Sequence, residues 1–240
     1  MPLTVGLVMA GCMGYIQPFD ESYIAIVFFI FALKELIQMY NFETQMAAGF
    51  NIVLWLSLAF LFEPEYIWLS LLFILGMIIF RVISRRVFLS IFFAIATIIF
   101  IIGSMFWLFD SLNIIIEYLD NTISISPQKI TSLNKFDIAI FTFTAMMVIF
   151  SSISYFLSAS NYKLNTRLNF SLIHAGFWFS LVWIILFFSS FSQLIAVPIL
   201  FAIMCISLYF STVQNKVANI MFVVWFVCFV AYRIITFYVE

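Results

Sequence analysis

Charge is scarce in this chain. Lys and Arg number 10 and Asp and Glu 11 in 240 residues, or 9%, where a water-soluble domain of that size carries roughly 25%. A soluble globular reading is excluded on that ground. The formal net charge of -1 leaves no basic stripe, and nucleic acid is excluded as a partner. Histidine is represented once, by His174. A transmembrane b-type haem generally needs two axial ligands and catalytic zinc three protein ligands, so neither can rest on this residue alone. The three cysteines, Cys12, Cys205 and Cys228, sit in apolar runs without CxxC pairing, which suits small packing residues rather than a disulfide framework or a metal site. HExxH, GxSxG and phosphate-cradling glycine loops are missing too. No cofactor is expected.

What the chain does have is apolar length. Two thirds of it is hydrophobic, with 33 phenylalanines. The apolar runs are near-continuous, as from Val87 to Phe109, and lack the alternation of a membrane β-barrel. A bilayer core about 30 Å thick takes around 20 helical residues per crossing. The sequence therefore predicts an all-α, polytopic transmembrane helix bundle with eight or nine crossings. The candidates lie near 3–16, 23–40, 46–62, 66–80, 87–109, 138–158, 171–190, 192–212 and 218–237. The first is short, and Pro198 offers a kink that would merge the seventh and eighth into one broken element. Glu63-Pro64-Glu65 reads as the stop of a tight helical hairpin.

Arg81, Arg85, Arg86, Lys163, Arg167 and Lys216 fall in alternate loops, with Lys34 near the same side. The other loops hold Asp20, Glu21, Glu63, Glu65, Asp110, Glu117, Asp120 and Asp137, with only Lys129 and Lys135 as positives. Because positives stay cytoplasmic, the N-terminus is expected inside and the C-terminus outside. Residues 1–240 form one integral membrane domain in this reading. Its long external loop, 111–137, begins with Leu112, Ile114, Ile115 and Ile116, which suit a short interfacial helix. A bacterial cytoplasmic membrane is the expected location.

Few residues in the spans carry chemistry. Gly6, Ala10 and Gly14 repeat at spacing four and present a small face for close helix packing. Cys12 follows Val8-Met9-Ala10-Gly11, close to a lipoprotein cleavage pattern, yet Met1 to Val8 lacks the positive charge a signal needs. Lys34 and Glu35 are adjacent and therefore point about 100° apart, so they do not face each other. Lys34, Gln38 and Asn41 do share a face. Intramembrane charge defaults to a functional reading, set here against an interfacial anchor. Thr144, Ser151, Tyr155 and Ser158 form a hydroxyl stripe on the sixth span, either a glue between helices or the wall of a hydrated path. Arg233 is a cation within the last span that can snorkel outward. Lys34, Glu35, Ser151, Tyr155 and Arg233 are the candidate polar path.

Two functions from different classes follow. The first is a non-catalytic membrane protein that works through contacts with the lipid bilayer and with other membrane proteins or copies of itself. An accessory subunit and an immunity or superinfection-exclusion protein are two forms of it. The second is a small transporter or channel using the polar path. An enzyme is the weakest reading. Its one support is Asp20–Glu21 in the first outer loop, a position that resembles, in placement only, the acidic residue of membrane glycosyltransferases acting on lipid-linked sugars.

Overall fold

The computed structural model describes residues 22–108, 135–158, 162–186, 196–212, 220–228 and 230–231. Gly6, Ala10, Gly14, Cys12, Asp20, Glu21, Arg233 and nearly all of the 111–137 loop lie outside them. The described residues are all-α, with no strand among them. The helices are α1 (Ser22–Gln38), α2 (Gln45–Phe62), α3 (Ser70–Phe80), α4 (Arg85–Leu108), α5 (Lys135–Ser158), α6 (Leu164–Leu186) and α7 (Ala196–Thr212). A further helical stretch, α8, covers 220–228. Among the described residues two helical stretches are long and apolar enough to cross a membrane, Phe42–Phe62 and Arg85–Leu108; Pro64–Phe80, Thr142–Leu157 and Val197–Phe210 are apolar but shorter.

The chain divides into two compact units. The amino-proximal unit holds Asp20–Gln128 and Phe179–Ala196, and the carboxyl-proximal unit holds Met1–Phe19, Lys129–Trp178 and Val197–Glu240. In the amino-proximal unit, α1 buries Ala25, Phe29, Ala32 and Leu36, a face that recurs every three or four residues. Phe28 stacks on Trp55 and Phe62, while Phe31 lies against Trp55 at 5.0 Å. Later residues of α1 thus meet earlier residues of α2, which makes the two antiparallel. Phe29 meets Tyr66 and Phe73 edge-on, an arrangement favoured by ring quadrupoles.

Local chemistry sets the turns. The Thr44 hydroxyl donates to the Gln38 and Asn41 carbonyls, and so occupies an orphan acceptor at the end of α1. Pro64 holds Glu63 extended (φ -137°, ψ 105°), as a residue before proline prefers, and α2 stops there. A 3-10 helix over Pro64–Leu69 then leads into α3. Glu63 is buried, where the sequence reading makes it a loop charge. Helix α3 ends with Arg81 at φ 55°. Its N–H donates to Ile78 O, and that of Val82 donates to Met77 O. This is a Schellman ending, unexpected from sequence because arginine stands where glycine is usual. Ser84 caps α4 through a bond from Val87 N.

The starts of helices α2 and α4 meet. The Ser90 hydroxyl donates to Met46 O, and Gly49 lies beside Val87 and Ile91. Both helices therefore begin at one end of the unit, where Arg85 and Arg86 stand. In the carboxyl-proximal unit, Pro198 is the third residue of α7. The join of the seventh and eighth candidates, where a kink is expected, lies outside the described residues.

Candidate functional site

Helices α5, α6 and α7 meet at a buried polar junction. On α5, Ser151 faces inward, one heptad on from the buried Thr144 and one turn before the half-buried Tyr155. On α6, His174 is buried one turn after Phe170, and α7 contributes the backbone of Cys205. The His174 Nδ1 lies 2.8 Å from Phe170 O. A carbonyl can only accept, so Nδ1 carries the proton of that bond. The Ser151 hydroxyl donates to Cys205 O at 2.8 Å, and its oxygen stands 3.4 Å from His174 Nε2. A hydroxyl has one proton, and the shorter bond claims it. Nε2 of the neutral ring is left as a weakly engaged acceptor. Tyr155 completes the junction: its ring stacks on His174 at 5.2 Å and its hydroxyl donates to Arg167 O at 2.9 Å.

This geometry joins three helices. Ser151 is 2% exposed, and the adjoining void, lined in part by Ser154, Tyr162 and Tyr209, is about 10 Å³. That is about the space for one water. Among the described residues no carboxylate orients the imidazole, whose Nδ1 is held by the Phe170 carbonyl. Among the described residues no three His, Cys, Asp or Glu side chains converge in a way that could hold a metal ion.

The candidate path residues are placed as follows. Ser151 and Tyr155 come together at the junction. Lys34 and Glu35 belong to the amino-proximal unit on α1, and Arg233 lies outside the described residues. Lys34 is exposed, as are Gln38 and Asn41. It continues an outward stripe of Val27 and Phe31, spaced four and three residues apart on the helix. Glu35, on the next face, is half-buried. Sequence reasoning weighed His174 only as a metal or haem ligand and so missed its place beside the hydroxyl stripe. The signal was a single histidine in a helix, next in line to one rich in serine.

Compared with known proteins, the chain matches no protein-family model, no curated protein and no solved structure.

Proposed function

We propose that this chain is a multi-pass integral membrane protein that acts without catalysis, through contacts with other proteins in the bilayer. The observation that carries the reading is α4. It is 24 residues long, about 36 Å at 1.5 Å per residue, and among its residues only Val87 and Ala94 are buried. Phe88, Phe92, Ile99, Phe100 and Trp107 are all more than half exposed. A helix that is apolar all round belongs inside a protein or inside a membrane. Protein does not cover this one, and water would make so large an apolar surface a site of aggregation. Lipid is the remaining solvent.

Two further features support the reading. The starts of α2 and α4 lie together at the arginine-bearing end, as the starts of crossings that leave a basic inner face would. Pro64–Phe80 has only 17 residues, yet its 3-10 opening rises about 2.0 Å per residue and brings the segment to about 28 Å, close to the hydrocarbon thickness. The nine-crossing count, the cytoplasmic N-terminus and external C-terminus, the single membrane domain and the bacterial inner-membrane location are parts of this proposal. The closed Ser151–His174 junction favours a role resting on shape over one resting on chemistry, as in an accessory or immunity-type protein. The transporter alternative has less support, because Lys34 faces outward and the void beside His174 holds about one water.

The test is extraction followed by sizing. The chain is expected to stay with membranes through an alkaline carbonate wash and to run in mild detergent as a species larger than one copy. A photo-crosslinker at Phe100 should then capture protein. Release into buffer as a monodisperse chain would refute membrane residence. A detergent-solubilised monomer that crosslinks only to lipid would refute the contact role.

A further inference from the structure

The paired starts of α2 and α4 enclose an open groove of about 640 Å³. Phe42, Glu43 and Met46 line it from one side and Ser84, Arg85 and Arg86 from the other. Both arginines are exposed, and neither forms an ion pair among the described residues. Glu43 lies in the 3-10 turn Phe42–Thr44 just before α2, whereas the first turn of α4 has no acidic residue. Two cations therefore stand at the positive end of a 24-residue helix dipole with no acidic residue in their own turn, Glu43 across the groove being the nearby anion. The groove also has an apolar character. Phe42 is 78% exposed and Met46 is half exposed beside the arginines, and Phe88 and Phe92 continue the Arg85 face of α4 outward.

A ligand that matches both properties has a negative head and an apolar tail. We propose that this groove binds the phosphate headgroup of an anionic phospholipid of the inner leaflet, with Arg85 and Arg86 on the phosphate and Phe42, Met46 and Phe88 against the upper acyl chain. The proposal rests on the membrane reading above. Arginine suits the role because its planar fork holds two phosphate oxygens at once. Glu43 opposes the anion and sets a limit on affinity.

The experiment uses the full-length protein in mild detergent micelles doped with phosphatidylglycerol, with phosphatidylcholine, or with inorganic phosphate alone, and measures lipid retention by native mass spectrometry. Phosphatidylglycerol should be retained in preference to phosphatidylcholine. The R85Q/R86Q variant should bind it about 30-fold more weakly, from the usual contribution of two arginines at an anionic surface. The K34Q/R81Q variant removes equal charge outside the groove and should keep the preference, and E43Q should strengthen it. Equal retention of the two lipids, or a preference that survives R85Q/R86Q, would overturn the site. Competition by inorganic phosphate at the lipid's own concentration would also overturn it, because the ligand would then be a free anion. A chain that needs no detergent would refute membrane residence itself, whereas a detergent-requiring chain without lipid preference would refute only this groove.

Discussion

The two units solve the same packing problem with different materials. The amino-proximal unit joins its helices by rings: Phe28 and Phe31 on Trp55, Phe29 on Tyr66 and Phe73. In the carboxyl-proximal unit a histidine, a serine and two main-chain carbonyls sit at the meeting of α5, α6 and α7. On the proposed membrane reading, apolar association gains nothing from expelling water, so shape fit and polar bonds must carry it. The first unit relies mostly on fit, with the Ser90 bond to Met46 O as an exception where α4 meets α2. The second adds directional bonds, and these fix which residue of one helix stands opposite which residue of the next.

Two glycines give the largest contrast. A Cβ added at Gly176 would overlap the ring of Phe201, which is wholly buried, whereas one added at Gly49 would meet Val87, Ile91 and Met39 at 3.6–3.8 Å, ordinary contact distance. Gly176→Ala should therefore cost up to about 3 kcal/mol through overpacking. Gly49→Ala should be neutral or stabilising by up to about 1 kcal/mol, since glycine is a poor helix former. Unfolding in mixed micelles with a denaturing surfactant reads both. Gly176→Ala combined with Phe201→Leu should recover much of the loss, and equal costs at the two glycines would remove the contrast.

Next in size is Phe29→Ala. In water such a change costs about 3–5 kcal/mol, but in lipid the transfer part vanishes and the cavity part remains, about 2 kcal/mol. The loss should appear with the edge-on partners Tyr66 and Phe73 otherwise unchanged. A cost under half that value would mean that α1, α2 and α3 close over the gap, and that the ring contacts are looser than their geometry implies.

How much of this was legible beforehand depends on what each feature rests on. Helix positions were readable because they follow from apolar run length: the expected 87–109 is Arg85–Leu108, and 46–62 is Gln45–Phe62. The Glu63-Pro64 stop was readable for a local reason, the steric restriction that proline imposes on its predecessor. The start of α6 was placed seven residues late, since Asn165, Thr166, Arg167 and Asn169 are polar enough to pass for loop. The Arg81 ending carries no glycine to announce it. The eight or nine crossings expected from the sequence are not confirmed, since among the described residues two stretches are long and apolar enough to cross a membrane. At the site, the stripe of Thr144, Ser151 and Tyr155 was legible from helical spacing. Its partners were not: two of them are main-chain carbonyls, which no residue name reveals, and the third depends on which helices become neighbours.

The smallest effect tests how the bonds of the junction share the work of joining its helices. Ser151→Ala removes the bond to Cys205 O at 2.8 Å, but as a residue within α7 Cys205 can keep a main-chain bond from the following turn. The cost should be near the average for a hydroxyl between membrane helices, about 0.6 kcal/mol. His174→Phe keeps a ring against Tyr155 and loses only the bond to Phe170 O, itself a carbonyl within a helix, so its cost should be about 1 kcal/mol. The double variant should then cost nearly the sum of the two, because the 3.4 Å approach of Ser151 to Nε2 is too long to couple them strongly. A coupling above about 1 kcal/mol in that double-mutant cycle would show that the serine proton is given to the imidazole after all, and that the junction is held by one shared bond where the geometry shows two separate ones.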